Sequence, residues 1–560
     1  MPSYYESGPV SSVSETGTLT VDALIGGVKW GGEVDTGVTT VSYSFPWPTP
    51  GSTAYWYQDS NGDYSPDNEP SAAQHYGLNA TTQIPAARAA LQAWADVANI
   101  HFEEVADNEN IVGDIRFAWS SAVPAGVWGY TYYPQASLPQ GGDIWLNASS
   151  TGVTSTDWSV GSYNYEALMH EIGHALGLKH PGNYSGSEQE PFLSDTTATA
   201  YLDNRLFTLM SYNDPSNNLF RTITYHSGGS YSWLVYGIDP QTPMVLDIAA
   251  IQDLYGANTS DQGDDLYEFD PASPFFKTIW DAGGHDTISV SDFTLACTID
   301  LTPGNYSSIK ISPAPAPANY TGPTPTYDGT DNLGIAYDAI IEDAVGGSGN
   351  DTLTGNDADN ALTGGGGNDT VDGGSGIDTA KYSGASGNFV LTKTPTGYSV
   401  VDRIGSEGTD TLVDVERLLS GDGRKFALDL SGSGHAAQTV EILGAAFGKS
   451  FVSNKDYVAA GLDLFDDGWS FHDVCAAAIG TADFQSLAGS TGNTAFVNTV
   501  YRNVVGVLPQ QADLNYYVGQ LQGSGGQLSQ ADLLGFAATC AENLVNIDLV
   551  GLQQTGVEYS

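Results

Sequence analysis

The segment HEIGHALGLKH, residues 170–180, sets three histidines and a glutamate at a spacing that can do chemistry. On a helix, residues four apart share a face, so His170 and His174 can present their imidazoles to one ion. Gly177 permits the positive-φ conformation that closes a helix, and the chain can then turn back so that His180 supplies a third nitrogen. Three neutral imidazoles leave one coordination position open. An ion held this way keeps its double charge, lowers the pKa of a water in the open position and polarises a carbonyl as a Lewis acid. Glu171 lies beside the ligands without having to be one, which suits a general base. The pattern points to a zinc hydrolase, with His170, His174 and His180 as ligands and Glu171 as the catalytic carboxylate.

A second pattern runs from residue 346 to 381, where GGSGNDTLT, GNDADNALT, GGGGNDTVD and GGSGIDTAK repeat every nine positions. A fixed short period of this kind is a solenoid signature. Gly346, Gly347, Gly364 and Gly365 allow tight turns whose carbonyls face inward, while Asp351, Asp369 and Asp378 supply hard carboxylate oxygens. That donor set suits calcium. Leu353, Leu362 and Val371 would line a thin core. Asn360 stands where the period calls for Asp, which weakens one site. Acidic turns repel one another without a cation, so the repeats are expected to fold on binding calcium.

These sites need elements to hold them. The stretch TTQIPAARAALQAWADVANI, from Thr81, has a Thr cap, an early Pro and helical spacing of Ala and Leu, and predicts one long helix. Strands are expected at Asp114–Trp119, Gly126–Tyr133 and Asp143–Asn147, with further helices at about Asn164–Leu176 and Leu246–Tyr255. YSVVD and TLVDVERLL read as strands within 382–437, and residues 438–560 as several short helices. A chain of 560 residues exceeds one core. The divisions are a flexible extension or short propeptide over 1–20, a zinc domain over 21–258, a calcium-binding region over 259–381 with an exposed Pro-rich insertion at 312–326, a β-rich connector over 382–437 and a helical region over 438–560.

Charge narrows the partners. Against 66 Asp and Glu stand 17 Lys and Arg, a formal net charge of −49. Such a surface repels nucleic acid and anionic membranes and attracts divalent cations. No apolar run is long enough to span a bilayer, so no membrane insertion is expected. Cys297, Cys475 and Cys540 are odd in number and far apart, so they define no disulfide framework; Cys475 and Cys540 could pair, but buried thiols are the preferred reading. The first residues lack the basic and apolar segments of a cleaved secretory signal, so export would need another route.

The zinc motif, His180-Pro181, the later segment TLMSY at 208–212 and the calcium repeats resemble the metzincin superfamily and, within it, the serralysins. That resemblance implies a multidomain fold: an α+β metzincin domain with a twisted sheet and long helices, a parallel β-roll of calcium repeats, and a mostly α-helical C-terminal domain. It implies Met210 in a turn beneath the zinc and Tyr212 as an extra zinc ligand that stabilises the tetrahedral intermediate. WDAGGHDTI, 280–288, resembles the family's calcium loop, with Asp281, Gly283 and Asp286 opposite Asp261, Gly263 and Asp265. Asp261 and Asp265 replace the family's usual Arg and Thr. The implied activity is cleavage of internal peptide bonds in protein or peptide substrates, with one catalytic zinc and several structural calcium ions. Substrate would pair as an added strand on a sheet edge, with Tyr130, Tyr132 and Tyr133 as candidate cleft residues.

The resemblance further implies a secreted, extracellular monomer that leaves through type I secretion machinery. Residues 496–543 resemble a helical domain of unknown function found in bacterial secreted and surface-layer proteins, which suggests cell-surface or surface-layer attachment. The rival reading is a non-enzymatic calcium-dependent adhesin on a protease-like scaffold. Glu171 beside an open metal position speaks against it, because a binding module has no use for a base there.

Overall fold

The computed structural model describes residues 8–31, 37–46, 75–107, 111–121, 123–135, 140–148, 156–521 and 528–560. The chain forms two compact units: Met1–Asp286 with Leu301–Ile341, and Thr287–Asp300 with Glu342–Ser560.

The first unit is built on a sheet of order Ile100–Glu104, Thr39–Ser44, Ile115–Ser120, Ile144–Asn147, Gly129–Thr131. The first four strands pair in parallel and the last is antiparallel. Helix Gln83–Val97 makes the crossover between two parallel strands and buries Ala86, Ala87, Ala90, Leu91, Trp94 and Val97. Its alanines permit close packing, and the Trp94 indole N–H reaches the Met169 carbonyl at 3.1 Å on the next helix, Tyr163–Leu176. In the sheet, buried Arg116 grips Asp143 with two bonds of 2.8 and 2.9 Å, fixing the approach to strand Ile144–Asn147. A third helix, Val245–Tyr255, is buried along most of its length.

Two expectations need correction here. The extension expected over residues 1–20 is ordered in part: strand Val10–Ser12 pairs with Val28–Trp30, and Asp22 accepts hydrogen bonds from Thr16 and Gly17. Residues 1–7 lie outside the described part. The Pro-rich insertion is the exposed loop expected, and the correction concerns the region around it. It packs on the hairpin Leu219–Tyr225/Tyr231–Gly237: Arg221 donates to the Ala314 carbonyl at 2.6 Å and lies 4.5 Å from the Tyr320 ring centre, which also meets Trp233. Together with the pairing of Lys277–Ile279 on Leu333–Ile335, this makes Leu301–Ile341 part of the first unit rather than of one continuous calcium region.

In the second unit, short strands alternate between two parallel stacks. One holds Thr287–Ser289, Asp343–Val345, Ala361–Thr363, Thr379–Lys381 and Arg417–Leu419, and the other Thr298–Asp300, Thr352–Thr354, Thr370–Asp372 and Thr409–Val413. Each nine-residue repeat thus supplies one strand, and the same stack is reached again after two repeats. Leu353, Leu362 and Val371 are buried, with Ile288, Ile299 and Ala380 beside them in their stacks. The first stack continues in antiparallel sense through Lys425–Ala427 to the last strand, Val557–Tyr559.

Between those two strands lies a helical array around His435–Phe447, whose small residues admit neighbours: a Cβ on Gly444 would stand 2.3 Å from Ile547. Asn454, Ser470, Thr481 and Ser529 cap the N-termini of four other helices through their side chains. Cys475 and Cys540 do not form the disulfide that their pairing would have made, and Cys297 is buried. Glu441 is buried on the central helix, and burial pushes its carboxyl up to about 7. The folded chain therefore holds this proton more tightly than the unfolded chain. Its contribution is full below the ordinary Glu value and is lost as pH rises through about 7. Thermal unfolding in calcium should show Glu441→Gln stabilising the helical array at pH 8, with the gain closing by pH 4.5.

Candidate metal centre

The helix that carries the motif is capped by Ser162, whose side chain accepts from the Tyr165 N–H, and it ends at Gly177 with φ 108°. A Cβ on Gly177 would stand 2.1 Å from the Val28 carbonyl, so both the turn and the packing require glycine. The turn sends Leu178 back against Ile25 and returns His180 toward the helix. The Nε2 atoms of His170, His174 and His180 then lie 3.0, 3.1 and 3.2 Å apart.

The Nδ1 partners explain this convergence. His170 Nδ1 lies 2.8 Å from the Leu209 carbonyl and His174 Nδ1 2.7 Å from that of Leu178. A carbonyl only accepts, so each Nδ1 carries the proton and each Nε2 presents a lone pair. His180 Nδ1 has the Glu188 carboxylate at 3.2 Å as its acceptor. Three facing lone pairs cannot hydrogen-bond to one another, whereas a cation among them satisfies all three. Their separations approach the edge of about 3.3 Å of a tetrahedron with Zn–N bonds of about 2.05 Å. Burial lowers all three pKa values, helped by neighbouring histidines at His170 and His174 and by Lys179 at His180, to about 3 for His174 and about 4 for His180. The donor set fits zinc.

Glu171 points to the edge strand Gly129–Thr131. Its Oε2 accepts from the Thr131 hydroxyl at 2.6 Å, and a Cβ on Gly129 would stand 3.3 Å from Oε1. Burial raises this carboxyl to about 7, opposed by the Thr131 bond. Met210 is wholly buried beneath the helix, where a Cβ on Gly173 would come within 2.7 Å of its sulfur. Tyr212 is 53% exposed, with its ring 4.6 Å from that of His180 and stacked on Tyr184 at 4.7 Å. Burial and the charges of Glu171 and Glu188 raise its hydroxyl to about 12, which keeps it a hydrogen-bond donor. Tyr133 meets His174 edge-on at 5.7 Å, while Tyr130 and Tyr132 pack on Val112, Ala118, Val123 and Trp145 instead.

Several positioning residues escape sequence reasoning. Asp247, at the start of helix Val245–Tyr255, accepts from Thr208 Oγ at 2.7 Å, Leu209 N at 2.7 Å and Met244 N at 2.9 Å. It thereby holds, through its N–H, the residue whose carbonyl orients His170. Arg205 reaches the Ser211 carbonyl at 3.1 Å and pairs with Asp214 at 2.8 Å. Thr131, Glu188 and Asp247 belong to no short motif; only the acidic residue in a helix's first turn is a sequence signal, and it signals a cap.

Of the residues expected to bind calcium in the first unit, Asp265, Asp281 and Asp286 gather with carboxylate oxygens within 4.8 Å of one another. Gly283 N–H donates to Asp281, and Gly263 closes on Gly284, where a Cβ would stand 1.9 Å from the Gly263 carbonyl. Asp261 is exposed and lies outside that group. In the second unit Asp351, Asp369 and Asp378 are buried, with Gly347 N–H donating to Asp351 at 2.7 Å. Cβ atoms on Gly346, Gly364 and Gly365 would each fall within 2.4 Å of a carbonyl or carboxylate oxygen. Asn360 occupies the Asp place, accepting from Asn356 N and donating to the Glu342 carbonyl, so it closes its turn without a charge.

Comparison with known proteins agrees with this layout. The family model described as Matrixin matches residues 56–197, the RTX calcium-binding nonapeptide repeat (4 copies) matches 345–380, and a domain of unknown function, DUF4214, matches 476–546. A serralysin of Photorhabdus laumondii is 34% identical over 320 residues, 55% of this chain and 60% of the relative. Serralysin C of Dickeya chrysanthemi is 36% identical over 287 residues, covering 48% and 53%. Metallopeptidase AprA of Pseudomonas marginalis is 31% identical over 306 residues, covering 51% and 58%. The chain thus spans between about half and three fifths of the length of these relatives. It combines a matrixin-type domain, RTX calcium-binding repeats and a domain of unknown function, and the first two fit a zinc at the three histidines and structural calcium.

Asp247→Asn should leave a buried N–H donor facing an amide N–H₂ and loosen the His170 support. Zinc affinity, measured by competition with a chromophoric chelator, is expected to fall about 10- to 100-fold.

Proposed function

We propose that this chain is a secreted zinc-dependent endopeptidase that hydrolyses internal peptide bonds, its zinc held by His170, His174 and His180. The supporting observation is the convergence of three Nε2 lone pairs beside a buried carboxylate at a sheet edge. Zinc bound there supplies Lewis acidity toward a carbonyl and a lowered pKa for water.

The chain's own residues supply the rest. Gly129–Thr131, last in its sheet, offers its outer edge to an extended substrate, and the missing side chain at Gly129 lets that backbone lie close to Glu171. Thr131 holds one Glu171 oxygen, which aims the other. Glu171 takes the proton from the attacking water and passes it to the leaving amine nitrogen as the C–N bond breaks. Tyr212, protonated and half exposed beside His180, donates to the carbonyl oxygen as its charge develops. Tyr133 and Tyr184 frame the approach through their rings against His174 and Tyr212.

The remaining assignments are parts of the same reading. The alternating parallel strands of the repeats are taken as a β-roll, with calcium bound at Asp351, Asp369 and Asp378 and a further calcium at Asp265, Asp281 and Asp286. Residues 21–258 are taken as the protease domain, preceded by a short propeptide. Export by type I machinery and action outside the cell follow from the likeness to serralysins, and the helical array is assigned a surface-attachment role. Among the described residues no helix is long and apolar enough to cross a membrane.

A casein digest analysed by mass spectrometry tests the activity. Internal cuts should appear with the parent, vanish with a zinc chelator and fall at least about 100-fold with Glu171→Gln. Parent-rate cleavage by that variant would overturn the mechanism.

A further inference from the structure

The hairpin Leu219–Tyr225/Tyr231–Gly237 carries most of its aromatic side chains on one face. Its register sets Tyr231 opposite Tyr225, Trp233 opposite Ile223 and Val235 opposite Arg221. Cross-strand partners share a face and alternate residues keep to it, so these six side chains lie together. The intervening pairs, Thr222 with Leu234 and Thr224 with Ser232, belong to the other face.

Along the first face the rings form a continuous row. The ring centres of Tyr225 and Tyr231 are 6.4 Å apart, those of Tyr231 and Trp233 5.9 Å, and those of Trp233 and Tyr320 5.3 Å. One end of the row is occupied by the Pro-rich insertion. There Arg221 holds the Ala314 carbonyl and lies against the Tyr320 ring, and a Cβ on Gly322 would stand 2.7 Å from Trp233 Nε1. Toward the turn of the hairpin the row is open: Tyr225 is 68% exposed and Trp233 42%.

The open end has two properties that select a partner. It is uncharged, because Arg221, the one ionic group in this register, is buried and turned to the insertion. It also offers donors: the Tyr225 and Tyr231 hydroxyls and the Trp233 indole N–H have no hydrogen-bond partner among the described residues. A proline-rich segment answers both. Its backbone is already extended, it has few N–H groups to satisfy, its carbonyls face outward as acceptors, and its rings lie flat on aromatic side chains. The insertion is itself such a segment, with Pro313, Pro315, Pro317, Pro323 and Pro325.

We propose that Tyr225, Tyr231 and Trp233 form a docking strip for a proline-rich extended segment of another protein, continuing the contact that the chain's own insertion begins. Rigid aromatic side chains with a polar edge are the groups that carry most of the binding energy at such surfaces. The strip needs neither zinc nor peptide hydrolysis.

Isothermal titration calorimetry on the full chain in calcium tests this with a synthetic peptide of alternating Ala and Pro, the pattern of residues 313–318, and a control in which Ser replaces each Pro. The first should bind, and the control at least about 10-fold more weakly. Tyr225→Thr combined with Tyr231→Thr leaves Arg221, Trp233 and Tyr320 in place and should weaken the Pro peptide at least about 10-fold, as should Trp233→Ala. Should Trp233→Ala fail to fold by circular dichroism, the tyrosine pair decides alone. No binding of the Pro peptide, equal binding of the control, or parent affinity in the tyrosine variant would overturn the proposal. So would binding of laminarin, a neutral polysaccharide, in place of the peptide, or self-association of the chain that the tyrosine variant abolishes, since the face would then belong to a glycan or to a second copy.

Discussion

Three ring nitrogens that all present lone pairs do not collect at 3.0–3.2 Å by themselves. Each ring must be turned by a partner on its far side, and much of the first unit serves that need. Leu178 can offer its carbonyl to His174 only because Gly177 adopts φ 108° and packs on Val28. Leu209 offers its carbonyl to His170 while Asp247 holds the same residue by its N–H. Gly173 leaves room for Met210, which fills the space under the helix and fixes the height of the turn. The N-terminal segment joins in through Ile25 and Gly26, so even residues far from the motif in sequence help set the metal geometry.

Much of the site was legible in the sequence because its elements are local. The i, i+4 histidines, the terminating glycine and the methionine turn are short-range patterns, and helix Tyr163–Leu176 starts one residue before its expected position. What was not legible is long-range. Thr131 and Glu171 are 40 positions apart, and Leu209 and Asp247 are 38 apart, so no motif can contain both partners. The same reason hid the place of the Pro-rich insertion. Its composition reads as solvated loop, but Arg221, 93 positions before Ala314, gives it a surface to lie on. Asp261 lies exposed outside the group of Asp265, Asp281 and Asp286 for a different reason: spacing alone cannot tell a clustered acid from a solvated one when several lie within five residues.

Charge organises the second unit as convergence organises the first. Stacked turns repeat at an 18-residue pitch, which sets Asp369 next to Asp351 on one side and Asp378 next to Asn360 on the other. Backbone N–H groups from the neighbouring turn donate to one oxygen of Asp369 and one of Asp378, whose second oxygens have no donor among the described residues. Where an amide replaces the acid, at Asn360, the turn closes through hydrogen bonds alone. The repeats are thus a row of turns that differ in whether a buried carboxylate or a neutral amide closes them.

The hairpin Phe389–Lys393/Gly397–Asp402 shows why sequence period and structural period need not agree. A nonapeptide solenoid is held by contacts between turns of the same side, not by covalent continuity, so additional chain can leave between Lys381 and Gly405 provided it returns in register. The pairing of strand Gly397–Asp402 with Thr409–Val413 supplies that register, since the hairpin is hydrogen-bonded to the very strand that re-enters the stack. Leu412 then falls opposite Val371 and continues the thin core, which is the apolar requirement any further turn must meet. Gly408 meets the steric requirement and Asp410 the hydrogen-bonding one. A turn that satisfies all three after so long an interruption is specified by its own residues, not by its distance from the last repeat.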